Sequence, residues 1–221
     1  NECIEIDYAK GDKLFVPLND FKKITKYVGS EGRVKISSLN SAYWKNVKDK
    51  IKKEIETVAK DILVIEAKRQ VARIKPMMKT DFEEDFELGF GYDETDDQKR
   101  AIFDVITDLE SGKVSNRVIV GDVGFGKTEV SMRVAFQMVS SKKQVAVLAP
   151  TTVLTFQHFE NFKKRFSKWN FNIKSLNRFV STSEQKKILN ELKEGKVDVL
   201  IGTHRLLSKD VVFKDLGLLI I

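Results

Sequence analysis

The chain has 221 residues, of which 42% are hydrophobic and 32% charged, a composition ordinary for a soluble globular protein of one or two domains. Its single cysteine, Cys3, excludes an internal disulfide and a cysteine-based metal cluster, and it fits a reducing cytosol. Neither a signal peptide nor an apolar run of about 18 residues is present, so we expect a cytoplasmic protein without a membrane span.

Charge is distributed unevenly along the chain. The formal net charge is +7 and the isoelectric point is about 9.3, which favours a polyanionic partner. Residues 1–80 and 101–221 each carry a net charge of +7, whereas residues 81–100 carry −7. The sequence therefore predicts two basic units separated by an acidic stretch.

Residues 1–40 have the pattern of a small β unit. Cys3–Tyr8 alternates as a half-buried strand does, Lys10–Lys13 is typical of a hairpin turn, and Leu14–Val16 predicts the returning strand. Val34–Ile36 predicts a third short strand. Because so few residues cannot bury a core alone, we expect either a starting strand upstream of this unit or packing of the unit on a neighbour.

A long helix is predicted for residues 41–80. From Ser41 onward, apolar residues recur at spacings of three and four: Trp44, Val47, Ile51, Ile55, Val58, Ile62 and Ile65. Packing of this seam on the same protein is the favoured interpretation, and a coiled-coil partner is the alternative. Residues 76–97 are acidic and lose the helical period, which predicts a linker.

Helices and strands alternate through the predicted domain at residues 81–221. This order predicts an α/β fold, a parallel sheet covered by helices on both faces. The predicted helices are Asp96–Glu110, Glu129–Val139, Val153–Phe166 and Ser183–Glu194, with a short one near Arg205; the predicted strands are Arg117–Val120, Gln144–Ala149, Asn172–Leu176, Val197–Ile201 and Leu216–Ile221.

The stretch Gly121–Thr128 fits the phosphate-binding pattern G-x-x-x-x-G-K-[ST]. A predicted strand precedes it and a predicted helix follows it, as the motif requires, which disfavours a chance glycine turn. We expect backbone N–H groups and the helix N-terminus to surround a polyphosphate. Lys127 would then reach the β- and γ-phosphates, and Thr128 would hold Mg²⁺.

Gln98 and Tyr92 lie upstream of this loop. A glutamine amide can pair with the edge of adenine, and an aromatic ring can stack on the base. Thr95 and Gln98 also have the spacing of a capping box that begins a helix, so both interpretations remain open.

Hydroxyl-bearing residues follow the predicted strands. Thr151 and Thr152 follow the second strand, and Thr203 and His204 follow the fourth, at the sheet edge where ligands of α/β proteins bind. Such groups suit phosphodiester contacts, which carry no base information. The alternatives are helix capping by Thr152 and a capping box at Ser181; His204 alone is more often structural.

These motifs together resemble those of the bacterial transcription-repair coupling factors. The resemblance covers nearly the whole chain; RecG, a fork-remodelling translocase, is the nearest rival, but it would have an oligonucleotide-binding wedge upstream. The segments that carry the resemblance are the loop Gly121–Val130, Ala149–Thr152 with Gln157 and His158, Arg178–Phe179 with Ser181, Ile201–His204, Lys214–Ile221, Lys13–Pro17 and the helix from Trp44.

The resemblance implies an ATP- and Mg²⁺-dependent double-stranded DNA translocase with a RecA-like lobe, which displaces stalled RNA polymerase. Its partners would be duplex DNA, the RNA polymerase β subunit and, through parts absent here, the excision-repair protein UvrA. A module that only binds protein is the alternative. The implied nucleotide contacts are Tyr92, Gln98, Gly121, Asp122, Val123, Gly124, Phe125, Gly126, Lys127, Thr128 and Glu129, with Lys127 and Thr128 catalytic; the implied DNA contacts are Thr151, Thr152, Arg178, Ser181, Thr203 and His204.

The sequence also departs from the family pattern. It stops at Ile221, where the resemblance places the start of a DEEH box, and we expect the second lobe of the family to be absent as well. The polymerase-interacting module also begins late. We therefore expect a piece of a larger protein, which binds Mg-nucleotide but hydrolyses it at no useful rate.

Overall fold

The structure is a computed structural model that describes residues 2–26, 36, 38–39, 41–77 and 82–221. It divides into two compact units, Asn1–Lys68 and Arg69–Ile221, and each is described by itself. The predicted domain limits 1–40, 41–80 and 81–221 stay predictions. Among the described helices, none has both the length and the apolar character that crossing a bilayer requires.

The first unit begins with a hairpin, as the sequence predicts. Strands β1 (Cys3–Asp7) and β2 (Lys13–Pro17) pair antiparallel in a register that sets Cys3 opposite Pro17. The turn between them has two left-handed residues, Lys10 and Gly11, at φ 67° and 77°. Of the predicted third strand, Val34 and Lys35 lie outside the described residues, and Ile36 is in no strand.

Helix α1 spans Ala42–Val71, and none of these described residues is buried. Ile55, Ile62 and Ile65 on the predicted apolar seam are 62%, 61% and 63% exposed. The structure therefore does not show the intrachain packing of this seam that the sequence favours. A coiled-coil partner stays a prediction.

The second unit is built on a four-stranded parallel sheet, which confirms the predicted α/β fold. The strands are β3 (Gln144–Leu148), β4 (Ile173–Leu176), β5 (Val199–Gly202) and β6 (Leu216–Ile220), in the order β4-β5-β3-β6. The helices are α2 (Phe82–Leu88), α3 (Asp96–Glu110), α4 (Lys127–Ser140), α5 (Thr152–Arg165) and α6 (Thr182–Glu194). A 3₁₀ turn, His204–Leu207, stands where the short helix near Arg205 is predicted.

Apolar side chains that alternate in direction along the strands form two core clusters, one on each face of the sheet. Val199 and Ile201 pack in one cluster with Phe136 of α4 and Phe162 of α5. Leu200, between them, packs in a second cluster that contains residues of α6. Since successive side chains of a strand point to opposite faces, α4 and α5 cover one face and α6 the other.

The predicted linker at residues 76–97 is wrong in part, because it contains α2. Phe86 of this helix is 1% exposed and stacks on Phe136 at 4.1 Å between ring centroids. Its ring centroid also lies 5.0 Å from that of Phe166 and 5.2 Å from that of Trp169. Glu84, Asp85 and Glu87 of α2 are exposed, whereas Phe86 between them is buried. The acidic composition of this segment therefore led to the wrong prediction of a linker.

The predicted strand Arg117–Val120 is not a strand in the structure. Val118 and Val120 are 84% and 89% exposed, and among the described residues the sheet neighbour of β6 is β3 alone. A β-branched run forms a strand only where a neighbouring strand supplies hydrogen bonds. For the same reason β6 is an edge strand rather than the buried strand predicted, with Leu216 and Leu219 almost half exposed.

Candidate nucleotide and nucleic-acid site

The glycine-rich loop leads directly into α4, in the arrangement that an anion site needs. Gly126 caps α4 with φ 70°, and Gly124 within the loop has φ 88°. Both angles are left-handed, where a Cβ is strained, so these two positions favour glycine. The N–H groups of Lys127 and Thr128 at the start of α4 have no acceptor in a preceding helical turn, and they give this end of the helix a positive potential.

Lys127 reaches back across the loop. Its Nζ donates to the carbonyl oxygens of Gly121 and Asp122, at 2.6 Å each. An ammonium group has three donors, so one N–H remains for a ligand held inside the loop. Lys127 therefore fixes the curve of the loop and carries positive charge at its centre, which suits a polyphosphate.

The residues present also fit a magnesium ion that is held mainly through phosphates. Thr128 is half-buried and follows Lys127 directly, at the start of α4. Among the described residues no cluster of three His, Cys, Asp or Glu side chains could hold a metal by itself. Mg²⁺ commonly uses few protein ligands together with substrate phosphates and water.

Gln98 forms the capping box and also touches the loop. Its Oε1 accepts from the Thr95 N–H at 2.9 Å, and Thr95 Oγ1 accepts from the Gln98 N–H at 3.3 Å. Its Nε2 donates to the Phe125 carbonyl at 3.0 Å. The capping interpretation is confirmed, while the adenine contact stays a prediction. Tyr92 is 81% exposed, with its ring edge-on to Phe90.

Glu129 occupies a different position from its neighbours in the loop. It is 3% exposed, and its carboxylate accepts from Arg133 Nε at 2.7 Å and from Arg165 at 2.8 Å. Only its backbone N–H lies at the loop, donating to the Gly126 carbonyl at 2.9 Å. A nucleotide contact by Glu129 stays a prediction, and the carboxylate is committed to two arginines that the sequence analysis missed.

The spacing of Glu129 and Arg133 on one helix face could have revealed the first of these ion pairs. The contact with Arg165 joins residues 36 positions apart, and nothing in the local pattern points to it.

A cleft of about 590 Å³ lies at the carboxyl ends of β3, β4 and β5. Five of the six predicted DNA contacts line it: Thr151, Thr152, Arg178, Thr203 and His204. The sixth, Ser181, is not on its wall; its hydroxyl accepts from the Glu184 N–H at 3.3 Å and caps α6. The cleft also contains residues that sequence reasoning missed: Asn177, Gln185 and Arg205.

The polar groups of the cleft differ in the hydrogen bonds and ion pairs that they already make within the protein. Thr151 caps α5, accepting from the Leu154 N–H at 3.2 Å, so the alternative of capping by Thr152 is wrong. Arg205 makes two hydrogen bonds to Asp210, at 2.7 and 2.6 Å, and these lower the pKa of the Asp210 carboxyl. Arg178 is exposed, with its guanidinium 5.0 Å from the Phe179 ring. Among these groups, Arg178 offers the cleft a positive charge that no carboxylate of the described residues pairs with.

Comparison with protein families identifies the second unit. The family model of the DEAD/DEAH box helicases matches residues 95–221, more than half of the chain. The chain belongs to the DEAD/DEAH box helicase family. This match begins at the capping residue Thr95 and includes both the phosphate loop and the cleft.

Similarity to individual proteins extends over the whole chain. The chain is 46% identical to a transcription-repair-coupling factor of Borreliella burgdorferi and 44% identical to that of Bacillus subtilis, in both cases over 100% of this chain. The chain spans about a fifth of the length of these relatives, 20% and 19%. The resemblance seen in the sequence is confirmed.

A solved structure of RecG bound to a three-way DNA junction is also similar. It is 35% identical, with a TM-score of 0.66 over 70% of this chain and 21% of that one. The likeness supports the α/β fold.

Proposed function

We propose that this chain carries the nucleotide-binding loop and part of the DNA track of an ATP-driven double-stranded DNA translocase. One observation carries the proposal: a phosphate loop and a cleft of hydroxyl, amide and guanidinium groups belong to the same parallel-sheet unit. Their separation into two sites suits an enzyme that binds a nucleotide in one and a nucleic acid in the other.

The loop would hold the nucleotide. Lys127 binds the β- and γ-phosphates through its remaining N–H, and the N–H groups at the start of α4 bind phosphate oxygens. Thr128 would hold Mg²⁺, which neutralises charge on the phosphates when bound. Gln98 and Tyr92 would contact the adenine; for Gln98 this requires its amide to release the Phe125 carbonyl.

The cleft would follow one DNA strand. Hydroxyls of Thr151, Thr152 and Thr203, with Arg178 and His204, are groups that contact phosphate and sugar oxygens. Such contacts fix the position of a duplex without reading its sequence, which a motor moving along arbitrary DNA requires. Ser181 at the start of α6 would join this track through its hydroxyl.

The cellular role is proposed from the relatives. Identity over the whole chain with transcription-repair-coupling factors supports displacement of stalled RNA polymerase, with contact to its β subunit, and recruitment of excision repair through UvrA. The RecG likeness covers a smaller part of the chain, so fork remodelling is the weaker candidate. Cys3, an exposed free thiol, suits a reducing cytoplasm.

Duplex binding tests the DNA half of the proposal. Fluorescence anisotropy with several duplexes of different sequence should give weak, sequence-independent binding that falls steeply with salt. Arg178→Ala should weaken binding to all duplexes alike and reduce the salt slope by about one. Arg100→Ala, on α3 outside the cleft, is the matched control and should leave both unchanged. Strong preference for one sequence, or binding independent of salt, would contradict the proposal.

A further inference from the structure

A buried network of carboxylates and guanidiniums joins the helix of the phosphate loop to the helix that starts in the cleft. We propose that Arg165 is a positioning residue that couples occupancy of the DNA cleft to nucleotide affinity at the phosphate loop. This inference rests on the proposed function, because it concerns communication between the two sites assigned there.

The first link, the contact between Glu129 of α4 and Arg165 of α5, connects the phosphate loop to the second helix. Glu129 follows Lys127 and Thr128 in the first turn of α4, and its side chain is 4% exposed. Arg165 donates to both carboxylate oxygens, at 2.8 and 3.3 Å, and the Arg165 side chain is 11% exposed. A buried carboxylate is strongly disfavoured without its partners. Movement of Arg165 must therefore either carry α4 with it or break a contact that is costly to lose.

The second link is α5 itself. The helix begins at Thr152, with Thr151 as its cap, and both residues line the cleft. It ends at Arg165 after 14 residues, which makes it about 21 Å long. A hydrogen-bonded helix of this length moves as one body. A ligand that draws Thr151 and Thr152 toward itself therefore also displaces the guanidinium at the other end.

The third link closes the network around the loop. Arg133 donates to Glu94 as well as to Glu129, and it lies 3.3 Å from Glu87. Glu94 immediately precedes the capping box of Thr95 and Gln98. The Gln98 amide in turn holds the Phe125 carbonyl inside the loop. The loop is thus held from both sides by one set of contacts, through Glu129 after it and through Phe125 within it.

The geometry of Arg165 is specific to a guanidinium. Its Cζ atom lies 3.9 Å from the centroid of the Phe86 ring, and the guanidinium donates to the Phe86 carbonyl while it binds Glu129. A lysine keeps the charge but cannot stack flat on a ring or donate as a rigid fork. Arg165→Lys therefore preserves the ionic partner of Glu129 and removes the fixed orientation between α5 and α4.

A purely structural role for Arg165 is the competing explanation, and affinity alone does not separate the two. The deciding quantity is the ratio of nucleotide dissociation constants without and with DNA. Coupling between two binding sites is reciprocal, so the same ratio must appear in DNA affinity with and without nucleotide. A residue that only stabilises the fold changes both affinities, or neither, and leaves this ratio unchanged.

The experiment titrates a fluorescent ATP analogue with Mg²⁺ into the 221-residue protein, with and without a saturating duplex at low salt. In the wild type we expect the duplex to change nucleotide affinity by about fivefold or more, within the usual range of such coupling. In Arg165→Lys the change should fall below about twofold, while affinity without DNA stays within about threefold. Lys164→Ala, on an exposed neighbour in the same helix turn, should retain the wild-type ratio.

A second variant protects the test against misfolding. Glu129→Gln/Arg165→Met removes the ion pairs of Glu129 with Arg165 and Arg133 without leaving a buried carboxylate unpaired, while Arg133 keeps Glu94 as a partner. This double variant should lose the ratio in the same way. Full coupling in a folded Arg165→Lys or in this double variant would overturn the inference. Wild-type protein that binds both ligands without coupling would overturn the inference and leave the proposed function standing. Binding of neither ligand would overturn both.

Discussion

Gly126 is the residue at which the phosphate loop can be perturbed most selectively. A Cβ built on Gly126 would lie 2.2 Å from Gln98 Nε2, and the backbone there has φ 70°. Gly126→Ala therefore introduces two separate penalties. The first is a side chain in the left-handed region, and the second is displacement of the amide that holds the Phe125 carbonyl.

The two penalties can be sized independently. A left-handed alanine costs about 1–2 kcal/mol, and the lost hydrogen bond costs about 0.5–1.5 kcal/mol. The clash itself adds little, because the displaced atom is the end of a flexible side chain. We therefore expect Gly126→Ala to lower the free energy of unfolding by about 1.5–3.5 kcal/mol. Gly91→Ala should cost only the first amount, since Gly91 has φ 75° and nothing within 4 Å of its Cβ position.

Urea unfolding of a double-mutant cycle separates the second penalty from the first. In a Gln98→Ala background the amide is absent, so Gly126→Ala should cost no more than Gly91→Ala does in the wild type. The interaction energy of the cycle should be about 0.5–1.5 kcal/mol. Purely additive effects of Gly126→Ala and Gln98→Ala would refute the reasoning, because they would show that the amide does not hold the loop in solution.

Two further predictions concern the core and the pH dependence of the second unit. Phe86→Ala should lower the free energy of unfolding by about 3–5 kcal/mol, because it removes the ring at the centre of a buried aromatic cluster. The control Phe82→Ala, on the same helix but 58% exposed, should change this free energy by no more than about 0.5 kcal/mol. Equal effects of the two substitutions in urea unfolding would show that α2 lies outside the core. Burial lowers the pKa of His158, whose Nδ1 has no hydrogen-bond partner among the described residues. The folded state therefore binds fewer protons than the unfolded state, and the free energy of unfolding should decrease as pH falls below about 6.5. His158→Gln should reduce the decrease in the free energy of unfolding between pH 7.5 and 5.5. An NMR titration in which His158 has an ordinary histidine pKa would contradict this prediction.

The parts of the fold that local chemistry controls were predictable from the sequence. The capping box at Thr95 and the apolar spacing after it predict the helix Asp96–Glu110, and the structure has these limits. The cleft was predictable because the carboxyl ends of parallel strands meet at one edge. Five predicted residues therefore lie together although up to 53 positions separate them along the chain.

The errors arise where a non-local neighbour decides the outcome. Arg117–Val120 has the composition of a strand, but strand formation also requires a hydrogen-bonding neighbour, which the described residues do not supply. Phe82 and Phe86 have helical spacing within an acidic stretch, and only the stacking partner Phe136 on another helix shows that Phe86 is core. The ion pair of Glu129 with Arg165 belongs to the same class, because it depends on how α4 and α5 are placed on the same face of the sheet.

The central claim, that the loop Gly121–Thr128 binds a nucleotide through Lys127, is tested most directly by calorimetric titration of Mg-ATP into the wild type and Lys127→Ala. The wild type should bind with modest affinity. The variant should lose binding, because it lacks the ammonium group at the centre of the loop, while its melting temperature stays close to that of the wild type. Equal nucleotide affinity in the two folded proteins would contradict the account.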